Sequence, residues 1–359
     1  MILTRLKHAF SHPLSLPAVS GVVLVGVGVF ILPQVFATTF ERGDISTTTP
    51  SFVLKLKREE KLDTKAYDAK MLALANVATT TGTSTPSLWP VTGPYPKAGA
   101  ILPFKRIVAY YGNFYSTKMG VLGEYEESVM LEKLRGEKRR WEEADPTTPV
   151  MPAINYIAIT AQGSPGREGK YLLRMPDDQI DYALTLADKV DGIVILDIQI
   201  GLSNLEKELP LLEKYLAMPN VHLGLDPEFH MITGDVPGDV IGSYDAKQIN
   251  YATAYLADLV QKHNLPPKVV IVHRFTQRMV TNYDDIILRP ETQIVMDMDG
   301  WGPPLKKINT YKQFIYPEPV QFTGFKLFYK NDLKPPSDRL LTPADLLKLT
   351  PQPSFIQYQ

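Results

Sequence analysis

The chain has 359 residues, 44% hydrophobic and 21% charged, the composition of a globular protein with length for one large core and extras. A net charge of −1, with no long basic run, argues against a nucleic-acid partner. The absence of cysteine excludes a disulfide framework, a thiolate zinc site, a cysteine nucleophile and a lipid-attachment cysteine.

Residues 1–13 form a basic flank with Arg5, Lys7 and His8, and residues 14–37 are almost uncharged. A basic flank before an apolar run is a membrane-targeting signal whose basic end stays in the cytoplasm. Two forms compete. As a helix the run is long enough to cross about 30 Å of hydrocarbon, which makes it a single-pass signal anchor. Val35, Phe36 and Ala37 also resemble a small-residue cleavage site, which would release a secreted protein. Either form leaves the rest of the chain outside the cytoplasmic membrane. Residues 38–104 read as an extracytoplasmic linker or stalk. Thr and Ser dominate 38–51, Thr79 to Pro86 is of low complexity, and Pro86, Pro90, Pro94 and Pro96 keep the chain extended. At most one small element is expected there, a helix at 66–76.

From residue 105 to 359, apolar β-type runs alternate with amphipathic helical stretches. Strands are expected near 106–112, 150–160, 192–199, 221–228, 268–275, 292–299, 322–329 and 354–358. Helices are expected at 126–141, 179–190, 204–216 (opened by Ser203 and Glu206 as a capping box), 245–263, and after the Thr342-Pro343 cap. Repeated strand–helix units predict a parallel sheet closed into a (β/α)8 TIM-type barrel, with the last run pairing with the first. The rival is a doubly wound open sheet, which would want a Gly-rich phosphate loop after an early strand; residues 111–115 do not supply one.

Strand side chains alternate between faces. On the fourth run His222, Gly224, Asp226 and Glu228 share a face, opposite Val221, Leu223 and Leu225. On the sixth, Val295, Asp297 and Asp299 lie together; on the third, Asp197 and Gln199; on the seventh, Gly324 and Lys326. A barrel focuses these late, inward positions on one volume at its C-terminal mouth. Five acids (Asp197, Asp226, Glu228, Asp297 and Asp299) then face one inward lysine, Lys326, and one histidine, His273; only a structural ion network would also draw on Arg274. Such crowding raises the pKa of some members or attracts a cation. A structural ion network is the bland alternative.

Paired carboxylates beside aromatic side chains suit cleavage of glycosidic bonds, one acid protonating the leaving oxygen while the other attacks carbon or activates water. On this reading Asp226 is the nucleophile or electrostatic stabiliser, Asp297 or Asp299 the general acid/base, and Glu228 a rival for the acid role. Tyr111, Asp197, Gln199, His273, Trp301 and Lys326 would bind substrate. Tyr110, Tyr111, Tyr115, Phe229, Trp301 and Phe328 are candidate walls for sugar rings. No cofactor is called for, although Asp226, Glu228, Asp297 and Asp299 together would suit a hard divalent cation. No metallohydrolase His pair and no Gly-x-Ser-x-Gly elbow occurs.

As a set, Leu196-Asp197-Ile198-Gln199, Leu225-Asp226-Pro227-Glu228, Val272-His273-Arg274-Phe275-Thr276, Asp299-Gly300-Trp301-Gly302 and the run from Gly324 to Tyr329 resemble an uncharacterised family of exported bacterial barrel proteins. That resemblance, over roughly 105–359, implies the barrel and the location. More distantly the arrangement is similar to glycoside hydrolases with barrel folds, several of which place carboxylates at the fourth and sixth strands. The Asp-x-x-Asp-x-Asp-x-Glu run of chitinase-like barrels is absent, as is the Asn-Glu pair of many retaining glycosidases. Together these features lead to the expectation of a glycoside-hydrolase-like protein at the cell envelope, with a glycan or envelope polymer as partner and the membrane engaged through residues 14–37. The alternatives are a non-catalytic glycan-binding or scaffolding barrel and a metal-dependent phosphoesterase.

Overall fold

The computed structural model describes residues 61–77 and 87–359. The expected membrane segment at 14–37, its basic flank and the Thr/Ser-rich stretch that follows lie outside the described residues. Among the described residues no helix is long and apolar enough to cross a membrane.

Eight strands form the core: β1 (Arg106–Gly112), β2 (Val150–Ala161), β3 (Ile193–Ile198), β4 (Val221–Leu225), β5 (Lys268–Arg274), β6 (Thr292–Met298), β7 (Phe322–Leu327) and β8 (Phe355–Tyr358). Each pairs in parallel with its neighbour in sequence. The last strand also pairs with the first, Ile107 opposite Phe355 and Tyr110 opposite Tyr358, so the ring closes. This is the (β/α)8 barrel expected from the alternating pattern, with every strand where the apolar runs lie.

Helices cover the outside of the barrel. The longest crossover, Ala246–His263, begins at a capping box of Asp245 and Gln248 and ends at Asn264 in the left-handed conformation. It buries Ile249, Ala252, Leu256, Leu259 and Val260, one stripe at helical spacing. The expected helix at 204–216 is instead two pieces, Leu205–Leu211 and Glu213–Leu216. Pro210 has no N–H for the carbonyl four residues back, and the helix breaks within two residues of it. The cap is Asn204 rather than Ser203: Asn204 Oδ1 accepts from the Lys207 N–H at 2.9 Å, while Ser203 donates to Glu208.

Two apolar layers result. Outward strand residues such as Val108, Leu196, Leu223, Val272 and Met296 pack against the helices. Inward residues near the strand starts, among them Ile107, Ile193, Val269 and Phe322, form a second cluster along the barrel axis. An open barrel end would leave that cluster wet. The helix Thr64–Ala75 and the segment around Leu102 complete it, adding Tyr67, Met71 and Leu102. Gln293, inward on β6, accepts from the N–H groups of Ile101 and Leu102 and donates to the Leu102 carbonyl at 2.6 Å. The helix falls within the stretch that the sequence suggests is a stalk. Its buried stripe is only Tyr67, Met71 and Ala75 in a charged background, too sparse to announce the packing.

Candidate active site

The inward positions late in the strands converge as alternation requires, and register decides which neighbours meet. Asp197 on β3 lies opposite Gly224 on β4, and Asp297 on β6 lies opposite both His273 on β5 and Gly324 on β7. A Cβ at Gly224 would stand 2.4 Å from Asp197 Oδ2, and one at Gly324 would stand 2.5 Å from Asp297 Oδ1. Each of these buried aspartates thus occupies room that a neighbouring glycine leaves open.

The lower tier is centred on His273. Its Nε2 lies 2.8 Å from Asp197 Oδ2, and its Nδ1 lies 3.1 Å from Asp299 Oδ2 and 3.4 Å from Asp297 Oδ2. Asp197, His273 and Asp297 are fully buried. The Nδ1 contacts are ion-pair distances without hydrogen-bond alignment, and both Asp297 oxygens lack a hydrogen-bond partner. Burial alone would lower His273, but the Asp197 charge and hydrogen bond, with Asp297 and Asp299 beyond, outweigh it and hold the imidazole well above 6.5. The surrounding carboxylates thus favour the imidazolium of His273 over the neutral ring that a general base needs. Burial pushes Asp297 up against the opposing pull of His273.

Above this tier lies a cavity of about 480 Å³ at the C-terminal mouth, lined by Asp226, Glu228, Asp299, Tyr111, Trp301 and Lys326 among others. Asp226 directly follows β4 and accepts from the Glu228 N–H and from Gln199 Nε2, both at 3.1 Å. Gln199 also donates to the Tyr111 hydroxyl at 3.3 Å. A short 3-10 turn, Pro227–Phe229, carries Glu228 onto the cavity wall. Burial first, then the charges of Asp197 and Asp299, push Asp226 up to about 7. Burial first, then Asp226 and Asp299, push Glu228 up to about 8. Asp299 goes the other way. Burial would raise it, yet Lys326, whose Nζ is 3.0 Å away, and His273 together hold it below the usual carboxylate range. Lys326 is itself fixed, its ammonium 3.9 Å from the Tyr111 ring centroid. One cavity thus holds an ionised carboxylate and two carboxyls that keep their protons towards neutral pH.

Of the residues singled out from the sequence, Tyr111, Gln199, Asp226, Glu228, Asp299, Trp301 and Lys326 line the cavity. Asp197, His273 and Asp297 lie beneath it. Arg274, a candidate partner only in the structural ion-network reading, is turned outward by strand alternation, pairing with Glu318 and donating to the Gln277 carbonyl at 2.9 Å. Tyr110 is also outward, its hydroxyl 3.1 Å from that of Tyr329, and Tyr115 is exposed away from the cavity. Phe229 and Phe328 do line it. Asp226, Glu228, Asp297 and Asp299 do not form one hard-cation cluster: Asp297 belongs to the lower tier, and among the described residues no group of three or more His, Asp or Glu side chains is set to hold a metal. Sequence reasoning missed Lys118, Phe275 and Lys306, which also line the cavity. Phe275 directly follows the inspected His273-Arg274 pair; Lys118 and Lys306 sit in a loop and a helix start, where no periodicity flags them.

The raised carboxyl of Asp226 links stability to pH. Between its ordinary value of 3.8 and about 7 the folded chain keeps a proton that the unfolded chain releases, so stability falls as pH rises through that window. Asp226→Asn removes this dependence. Relative to wild type, the variant is expected to gain on the order of 4 kcal/mol between pH 4 and pH 8, because the shift is roughly three pKa units and each is worth about 1.4 kcal/mol. Urea unfolding at the two pH values checks this, and an unchanged difference would show that Asp226 is ionised in the folded chain.

No family model matches the chain, and no curated protein matches it. Among solved structures it is similar to a ruminal GH26 endo-β-1,4-mannanase, at 10% identity and a TM-score of 0.34, over 77% of this chain and 66% of that one. It is likewise similar to the Bacillus subtilis mannanase BCman, at 11% identity and a TM-score of 0.34, over 70% of this chain and 87% of that one. The chain thus spans just under two thirds of the length of the ruminal mannanase.

Proposed function

We propose that this barrel acts on envelope or extracellular glycans, cleaving glycosidic bonds by acid/base chemistry between carboxyl groups at its C-terminal mouth. The observation that supports this most is the opposite bias on acids sharing one cavity, Glu228 raised to about 8 and Asp299 held low. A protonated acid beside an ionised one is the pairing that glycosidic cleavage needs. Glu228 donates its proton to the leaving oxygen. Asp299, ionised, stabilises positive charge developing on the sugar ring; a water molecule then bonds to the anomeric carbon and returns a proton to the ionised Glu228. Asp226 is half protonated near pH 7 and suits hydrogen bonding to a hydroxyl better than nucleophilic attack. Asp297, buried under the cavity, supports His273 rather than touching substrate. Residues 14–37 would tether the domain outside the membrane or be removed after Ala37. A reporter fused to the C-terminus, active only outside the cytoplasm, tests the location.

The second reading is a glycan-binding barrel without turnover, favoured by the tie of Asp299 to both Lys326 and His273, which blunts it as a nucleophile. A broad glycan screen with and without EDTA decides. Cleavage unaffected by EDTA is the expected result. Loss of cleavage in EDTA would favour metal-assisted chemistry, and binding without product the non-catalytic barrel.

A further inference from the structure

We infer that the ligand of this cavity is anionic, a glycan bearing carboxylate or phosphate groups; this rests on the glycan reading above. Three lysines line the cavity, Lys118, Lys306 and Lys326. Lys326 is neutralised by Asp299 at 3.0 Å. Lys118 and Lys306 form no ion pair among the described residues, and neither does Lys334, whose Nζ lies 5.3 Å from the Trp301 ring centroid. Lys306 sits over the same ring at 5.2 Å. Trp301, at 48% exposure the most open aromatic of the wall, therefore already has cations on its ring. That is a poor stacking surface for a neutral sugar and a good backing for a positive rim.

The rim is built rather than incidental. Gly302 has φ +139°, a conformation that side chains rarely adopt, and a Cβ there would stand 2.9 Å from Lys306 Cδ. Glycine thus leaves the space through which the Lys306 stem passes. The Gly302 N–H donates to buried Asp332 at 2.9 Å, and Asp332 is paired with Lys307 Nζ at 2.7 Å. Lys307 also donates to the Lys326 carbonyl at 2.7 Å. Of two consecutive lysines, Lys306 reaches the cavity and the next, Lys307, anchors the loop. The cavity's acids do not cancel this charge: Asp299 is tied to Lys326 and His273, and burial biases Asp226 and Glu228 towards their protonated forms, while Lys118, Lys306 and Lys334 carry no paired acid among the described residues. A mouth of net positive charge thus sits on a chain of net charge −1.

The test uses the full chain and three probes: an oligogalacturonate, the same oligosaccharide after carboxyl reduction, and that neutral oligosaccharide carrying phosphate monoesters. Binding is measured by calorimetry at low and high salt, and cleavage by product analysis. At least one anionic probe is expected to bind tenfold or more tighter than the reduced, neutral one, with an advantage that shrinks as salt rises. Which anionic probe binds identifies carboxylate or phosphate as the group recognised. In Lys118→Gln/Lys306→Gln the anionic-to-neutral ratio is expected to fall tenfold, at an unchanged melting temperature because both side chains are exposed. Equal or tighter binding of the neutral probe, binding of neither anionic probe, or an unchanged ratio in the double variant overturns the inference. Anionic binding without cleavage would keep the inference and remove the hydrolase reading. Cleavage of neutral chains without anionic preference would do the reverse.

Discussion

Glu228→Gln is expected to lower turnover of a cleaved glycan by about 10²–10⁴-fold, the usual contribution of a positioned general acid. The side chains are close in size, and Glu228 lies on the cavity wall rather than in the core, so the fold should persist. The wild-type pH profile gives a second readout. Activity requires Glu228 protonated, so it should decline as pH rises through about 8. It also requires Asp299 ionised, so it should decline again only in acid, below the usual carboxylate range. Glutamine cannot titrate, and the residual activity of the variant should lose the alkaline limb while keeping the acidic one. Steady-state kinetics from about pH 2 to pH 9 check both features, the acidic limb lying below the ordinary aspartate range. If Glu228→Gln turns over like wild type, the proton comes from elsewhere, and Asp226 becomes the first candidate because it too is raised.

His273→Ala is expected to destabilise the barrel by about 3–5 kcal/mol, the cost of leaving a buried charge without its partner. His273 is the shared contact of Asp197, Asp297 and Asp299, and of these only Asp299 also touches Lys326. Asp197 and Asp297 have no exposure through which water could replace the imidazolium. The sign with pH follows from the raised His273. Its contribution is present in full below about 6.5, the ordinary histidine value, and fades as pH rises through the higher folded value. The gap between wild type and variant should therefore be widest in mild acid and close at alkaline pH. Adding Asp197→Asn to His273→Ala should recover part of the loss by removing one stranded charge. Chemical denaturation across pH measures all three chains. A loss under 1 kcal/mol for His273→Ala would mean that the aspartates find other compensation.

Much of this architecture was legible in the sequence because strand alternation is local. Whether Asp226 or Leu225 faces the axis depends only on its neighbours in β4, and the same holds for Asp297 against Met298. Eight such runs with helices between them specify a parallel ring, and the residues that converge on its mouth could be named in advance. Arg274, adjacent to His273, faces the other way by the same alternation and so takes no part in an ion network with the inward acids. The helix Thr64–Ala75 carries too few apolar residues to reveal that it completes the barrel floor.

What only the tertiary structure decided is depth and protonation. Asp297 and Asp299 are two residues apart on one face, yet one is sealed beside His273 and the other opens onto the cavity beside Lys326. Their positions along the axis follow from the register of β5, β6 and β7, which are set by pairings between distant segments. Charge state follows from depth, because desolvation and Coulomb terms depend on distance through space rather than along the chain. The sequence by itself therefore determines which carboxyls gather at the mouth. Which of them keeps its proton, and which is tied to Lys326, is decided by packing between strands that are far apart in sequence.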